Sequence, residues 1–152
     1  MKPFRSYFGA VIVGAVMLLS FGPTLAEDVT EIGFTSFVYS ANEGQSISFI
    51  VKKTGSGEAL VDYAFGHSDV DPAKNATRGK DFIGQNGELY FAPDDTEHTI
   101  TVQTLSDDEF DEDSESFKIS LSIPNESDGV APVKLGSKRH AVGVILNCVT
   151  AC

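Results

Sequence analysis

Residues 115–123 read ESFKISLSI, and from Phe117 to Ile123 apolar side chains alternate with polar ones over seven positions. The apolar members are Phe117, Ile119, Leu121 and Ile123, separated by Lys118, Ser120 and Ser122. Successive side chains of a β-strand point to opposite faces, so this alternation predicts a strand with one buried face. Helical periodicity is hard to find anywhere along the chain, which favours an all-β fold.

The same alternation recurs at short intervals on both sides of this segment, separated by turn residues. It predicts seven strands, at residues 32–40, 45–53, 58–66, 81–91, 97–105, 116–123 and 138–146. The first segment changes phase near Thr35–Ser36, which predicts a bulge or a switch between sheets. The long stretch from Pro124 to Gly136 is interpreted as a connection. Seven short strands predict an antiparallel β-sandwich of immunoglobulin type.

Composition and charge set limits on function. The chain has 152 residues, 41% of them apolar, which suits one domain with a buried core. Its 22 acidic and 11 basic side chains give a formal net charge of -11. Nucleic-acid binding needs a positive surface that releases phosphate counterions, so the charge argues against a nucleic-acid partner. It is compatible with the binding of cations.

Residues 1–26 have the pattern of a secretory signal peptide. Lys2 and Arg5 precede an apolar stretch from Tyr7 to Phe21, and a small residue, Ala26, comes before the acidic start of the following segment. We expect cleavage there, which makes residues 27–152 a secreted, periplasmic or cell-surface domain. An uncleaved membrane anchor is the alternative, but the apolar run is shorter than the roughly 20 residues that span a bilayer.

Cys148 and Cys152 are the two cysteines, four residues apart near the end of the chain. In an oxidising compartment they could pair with each other, which would close a small loop and stabilise little. Pairing with another molecule is the rival interpretation.

Acidic side chains are expected to meet at one end of the sandwich. If each strand reverses direction, the loops after the first, third and fifth predicted strands share an end. These loops contain Glu43, Asp81 and the segment SDDEFDEDSESF at 106–117, which has seven carboxylates within nine residues. The same turn counting places five basic residues at the opposite end: Lys52, Lys53, Lys134, Lys138 and Arg139.

Clustered carboxylates repel one another unless a cation or water intervenes. Strand parity continued into the loops turns Glu43, Asp108 and Glu115 inward, where the sequence supplies few lysines or arginines. Calcium fits this need because it takes 6 to 8 oxygen ligands in flexible geometry. Zinc or copper would prefer histidine or thiol ligands, and His67, His98 and His140 follow no spacing motif. The alternative is a solvated acidic loop that only keeps the protein soluble.

Five elements in order resemble the Calx-beta domain family. They are FVYSANEG at 37–44, ATRGKDF at 76–82, GELYFAP at 87–93, TITV at 99–102, and Asp107-Asp108 followed by Glu112, Glu115 and Phe117. The resemblance extends over roughly residues 34–147, and the chain resembles a single-domain, secreted bacterial member of this family. The resemblance implies an immunoglobulin-like sandwich that, in calcium-binding members, holds several ions at one end.

The resemblance places the calcium ligands on six carboxylates: Glu43, Asp81, Asp107, Asp108, Glu112 and Glu115. One departure concerns the last strand, which runs into aspartates in calcium-binding members but here ends at Leu146-Asn147-Cys148. We therefore expect fewer ions or weaker binding.

The leading hypothesis is a non-enzymatic module that binds calcium. The alternative is a structural or adhesive module with an unknown protein partner and no metal. An enzyme is disfavoured, since the chain has no Trp for sugar stacking, no Gly-x-Ser-x-Gly elbow and no phosphate loop.

Overall fold

The computed structural model describes residues 29–71, 74–106, 113–124 and 133–147. These residues form ten strands: β1 (Thr30–Phe34), β2 (Val38–Asn42), β3 (Ser46–Thr54), β4 (Ala59–His67), β5 (Phe82–Ile83), β6 (Gly87–Phe91), β7 (Glu97–Thr104), β8 (Glu115–Ser122), β9 (Val133–Leu135) and β10 (His140–Leu146). Within the same residues, no helix is long and apolar enough to span a membrane.

The strands form two five-stranded sheets that pack face to face. One sheet has the order β5-β7-β3-β1-β9 and the other the order β2-β10-β8-β4-β6. The inner positions of the alternating strands form a single apolar core between the sheets, in which Ile47, Phe49 and Val51 of β3 face Phe117 and Ile119 of β8. The all-β sandwich predicted from the alternation is confirmed.

The first predicted strand is two strands in different sheets. Ile32 and Phe34 are buried in β1, and the chain then crosses to the other sheet to form β2. The hydroxyl of Tyr39 fixes this crossing, because it donates to the carbonyl of Ile50 at 3.1 Å and accepts from the amide of Ser36 at 3.0 Å. Of the two explanations for the phase change, the structure therefore shows the switch between sheets.

The predicted count of seven strands is wrong, since the described residues alone form ten. The predicted strand at 81–91 also divides, with β5 pairing with β7 in one sheet and β6 pairing with β4 in the other. The predicted connection from Pro124 to Gly136 contains β9. Two pairs are parallel, β1 with β9 and β2 with β10, so the sandwich is not wholly antiparallel. Both parallel pairs involve the divided first strand, since β1 pairs with the edge strand β9 in one sheet and β2 is itself the edge strand beside β10 in the other.

Aromatic rings fill the part of the core that supports one end of the sandwich. Phe82 stacks on Phe117 with ring centroids 4.1 Å apart, and Phe49 lies 5.9 Å from Phe117. Each aromatic pair of this kind contributes about 0.5–1.5 kcal/mol beyond the area that it buries. Phe82 and Phe117 follow Asp81 and Glu115 by one and two residues, so this packing fixes the backbone that carries both carboxylates.

Candidate functional site

Glu43 and Glu115 lie on the two sides of the end of β10. Glu115 begins β8 and pairs with Ile145 of β10, while the amide of Glu43 donates to the carbonyl of Leu146 at 3.1 Å. Both glutamates are half-buried. They come from segments 72 residues apart in sequence, and the pairing of β2 and β8 with β10 brings them to one rim.

Asp81 reaches the same end from the other sheet. It precedes β5, and its carbonyl accepts a hydrogen bond from the amide of Leu105, at the end of β7, at 2.8 Å. The Asp81 side chain is buried, and its Oδ2 accepts from the amide of Thr77 at 2.6 Å. Its Oδ1 lies 3.8 Å from the ammonium of Lys80. Asp81 therefore closes the turn at 77–81, a structural role that the sequence did not reveal.

The turn between β2 and β3 connects the sheet that contains β8, with Glu115, to the sheet that contains β5, which follows Asp81. The amide of Gln45 donates to the carbonyl of Asn42 at 3.1 Å, and Gly44 has a φ of 73°, the arrangement of a type II turn with Glu43 in its second position. The carbonyl of Gln45 in turn accepts from the amide of Thr104, the last residue of β7, at 2.9 Å. We call the end of the sandwich that carries Glu43, Asp81 and Glu115 the acidic end.

The remaining three predicted ligands, Asp107, Asp108 and Glu112, lie outside the described residues, as do Cys148 and Cys152. The two flanks of their segment are described, and both lie at the acidic end. On one side, Ser106 approaches so closely that a Cβ at Gly44 would come within 2.6 Å of its Oγ. On the other side, Asp113 precedes β8.

Lysines also lie at the acidic end, which corrects the expectation of few nearby cations. The ammonium of Lys74 lies 2.9 Å from a carboxylate oxygen of Asp113, and this ion pair raises the pKa of Lys74. The Asp113 side chain is 76% exposed, so solvent screens the pair and it adds little stability. Lys74 precedes the ATRGK segment at 76–80, and Lys80 is its last residue. The amide of Ala76 donates to the carbonyl of Ser116, so this loop folds back onto β8.

The donor chemistry at the acidic end suits a hard cation. Glu43, Asp81 and Glu115 offer carboxylate oxygens, and Asn147 follows β10 at the same rim with an amide oxygen. Within the described ranges, no group of three or more histidine, cysteine, aspartate or glutamate side chains is close enough to hold a metal ion. The described carboxylates therefore do not form a metal-binding group by themselves.

The opposite end contains the basic residues, but one of them has a structural role. Lys53 is buried, with 4% of its surface exposed. Its ammonium donates to the carbonyls of Gly57, Ala92 and Pro93 at 2.8, 2.6 and 2.8 Å. Lys53 thus ties two loops together at this end. Its parity matches that of the buried Val51, a signal in the sequence that could have shown its inward direction.

The model of the Calx-beta domain matches residues 26–146, which is most of the chain. The chain belongs to the Calx-beta domain family. The sandwich of two sheets described above agrees with this membership.

Solved structures of Calx-beta domains superpose on the chain. The apo form of the Calx CBD1 domain is 30% identical, with a TM-score of 0.65, and the match covers 78% of this chain and 97% of that domain. The calcium binding domain CBD12 of CALX1.1 is 29% identical with a TM-score of 0.64, covering 80% of this chain and 47% of that protein. The Calx CBD2 domain, 20% identical with a TM-score of 0.61 over 76% of this chain and 85% of that domain, shares the fold.

Proposed function

We propose that this Calx-beta domain is a non-enzymatic module that binds calcium at the acidic end. The observation that carries the proposal is that three separate segments, each with a carboxylate, lie at one end of the sandwich: Glu43 in the β2–β3 turn, Asp81 before β5 and Glu115 at the start of β8. The likeness to the calcium binding domain CBD12 of CALX1.1 supports the same assignment.

In the proposed site, the described carboxylates act together with Asp107, Asp108 and Glu112. Asp81 contributes through Oδ1, because its Oδ2 already accepts the hydrogen bond from Thr77. Calcium would neutralise side chains that otherwise repel one another, and it would hold the segment between Ser106 and Asp113 against the rim. The site contains Asn147 where the family's calcium-binding members have aspartates, so we propose one or two ions.

Thermal unfolding tests the proposal, because a ligand that binds only the folded state stabilises it by mass action. A free calcium concentration 100 times the dissociation constant adds about 2.7 kcal/mol to the free energy of unfolding. We expect the melting temperature to rise with millimolar calcium and to fall back with chelator. The double variant Asp108→Ala, Glu115→Ala should lose this shift.

A matched control replaces two carboxylates away from the acidic end. Glu88 lies in β6 and Glu97 begins β7, and both side chains are exposed. The double variant Glu88→Ala, Glu97→Ala removes the same charge and should keep the full calcium shift. If wild-type protein melts at the same temperature in calcium and in chelator, the metal-binding proposal fails, and the structural or adhesive alternative takes its place.

We also propose that the chain is exported and that residues 1–26 are removed. The support is the sequence of those residues, in which Lys2 and Arg5 precede the apolar stretch. Mass spectrometry of the exported protein should give a chain that begins at Glu27. A full-length chain recovered from the membrane fraction would instead indicate an uncleaved anchor.

A further inference from the structure

The turn that carries Glu43 is fastened to the end of β7 by a buried hydroxyl group. Thr104 is the last residue of β7, and 1% of its surface is exposed. Its Oγ1 donates to the carbonyl of Gln45 at 2.6 Å and lies 3.1 Å from the carbonyl of Asn42. These two carbonyls belong to the first and last residues of the Asn42–Gln45 turn. The hydroxyl of Thr104 therefore reaches both ends of the turn that holds Glu43.

The same residue also connects to the Asp81 side of the rim. Thr104 pairs with Phe82 of β5, and the next amide, that of Leu105, donates to the carbonyl of Asp81 at 2.8 Å. The acidic segment, residues 106–117, begins at Ser106, two residues after Thr104. Thr104 is thus the point at which the Glu43 turn, the Asp81 loop and the start of the acidic segment are held together.

A neighbouring side chain reinforces the fastening from the solvent side. The amide nitrogen of the Gln103 side chain donates to the carbonyl of Gly44 at 2.8 Å, and its Oε1 accepts from the hydroxyl of Ser46 at 2.9 Å. Gln103 is exposed, whereas Thr104 is buried. The hydrogen bonds of Gln103 can be exchanged for hydrogen bonds to water, whereas the buried hydrogen bond of Thr104 cannot. Thr104 therefore restrains the turn more strictly than Gln103 does.

We propose that Thr104 is a positioning residue of the calcium site, which holds the Glu43 turn at the same rim as Asp81 before the ion arrives. The inference rests on the proposed calcium function. Carboxylates of like charge push apart in the metal-free protein, so the rim must be held by contacts that do not involve the ion. A turn held in place in advance reduces the ordering that binding would otherwise require, and this raises affinity.

Thr104→Val is the direct test, since it removes the hydroxyl and keeps a side chain of similar shape. The carbonyl of Gln45 retains the amide of Thr104 as a donor, and the carbonyl of Asn42 retains the amide of Gln45. No carbonyl of the turn is therefore left without its backbone partner, and the variant is expected to fold. Isothermal titration of the folded protein with calcium should show a dissociation constant roughly three- to tenfold weaker than that of wild type.

Three further proteins make the result specific. Thr104→Ser keeps the hydroxyl and should restore affinity to within about twofold of wild type. Thr101→Val, an exposed position on the same strand, should leave affinity unchanged. If Thr104→Val does not fold, Thr104→Cys takes its place, because a thiol is a weak donor of intermediate size, and the same weakening is expected.

The two proposals fail in different ways. If wild-type protein binds calcium and Thr104→Val, or its Cys replacement, binds it with the same dissociation constant, the positioning role is wrong while the calcium function stands. If wild-type protein gives no heat and no shift with calcium, the calcium function itself is wrong. Weaker binding by Thr104→Val that Thr104→Ser does not restore would assign the effect to packing and would also overturn the positioning role.

Discussion

Removal of the buried ammonium at the basic end should destabilise the protein without affecting calcium. In Lys53→Met the unbranched Met side chain fills the space of the aliphatic part of Lys53, so little cavity is created. The three hydrogen bonds to the carbonyls of Gly57, Ala92 and Pro93 are lost. The carbonyl of Ala92 keeps a partner in the amide of Asp95 at 3.0 Å. The cost therefore falls mainly on the carbonyls of Gly57 and Pro93.

The expected magnitude follows from these contacts. A hydrogen bond to a charged group contributes about 1.5–3 kcal/mol net. Two such losses, offset in part because the buried ammonium no longer has to be desolvated, give a fall of about 2–4 kcal/mol in the free energy of unfolding. For a domain of this size, about 4 °C of melting temperature corresponds to each kcal/mol, so the melting temperature should fall by about 8–16 °C.

Urea or thermal unfolding followed by circular dichroism measures this change, with Lys52→Met as the control. Lys52 is adjacent but exposed, and its replacement should stay within about 0.5 kcal/mol of wild type. The stabilisation of Lys53→Met by calcium should equal that of wild type, because Lys53 lies at the end opposite the acidic end. A melting temperature within about 2 °C of wild type would refute the structural role assigned to Lys53.

Two other predictions test the packing and the electrostatics. Gly143→Ala should lower the free energy of unfolding by about 1–3 kcal/mol, measured by urea unfolding, because the added Cβ would lie 2.5 Å from the ring of Phe117; an unchanged midpoint would contradict the close approach. The ammonium of Lys118 lies 2.6 Å from a carboxylate oxygen of Asp69 and holds the pKa of that carboxyl below its ordinary value. The small stability that this ion pair adds is therefore present above the ordinary carboxyl pKa and is lost as the pH falls through the lowered pKa of Asp69. In Lys118→Gln, NMR titration should show the Asp69 pKa rising to its ordinary value, and an unmoved pKa would refute the pairing.

The sequence predicts the fold as far as the strands are long and alternating. β3, β7 and β8 follow the predicted alternation, because each has a buried face of three or more residues. In β10 the buried positions are Ala141, Gly143 and Ile145, while the predicted apolar positions Val142, Val144 and Leu146 are half-buried or exposed, so the predicted parity of this strand is wrong. Strands β5 and β9 have two and three residues, which is too short for an alternation to be detected. The division of the first strand depends on contacts made by Tyr39 across the sandwich, which local sequence does not specify.

The candidate site shows the same limit. Turn counting predicts which loops share an end, and the structure places Glu43, Asp81 and Glu115 there. Turn counting does not predict that Asp81 closes its own turn or that Lys74 pairs with Asp113, because both contacts depend on the folding of one irregular loop. Thr104 shares the parity of the buried Ile100 and Val102, so its inward direction was available from the sequence, whereas its partners in the Glu43 turn were not.

A calcium titration of isotopically labelled protein followed by NMR tests the central claim most directly. We expect the backbone amide signals of Glu43, Asp81, Glu115 and Asn147 to shift together with added calcium, while those of Lys53 at the opposite end stay in place. Amide signals that do not move at millimolar calcium, or that move at the basic end alone, would contradict a calcium site at the acidic end.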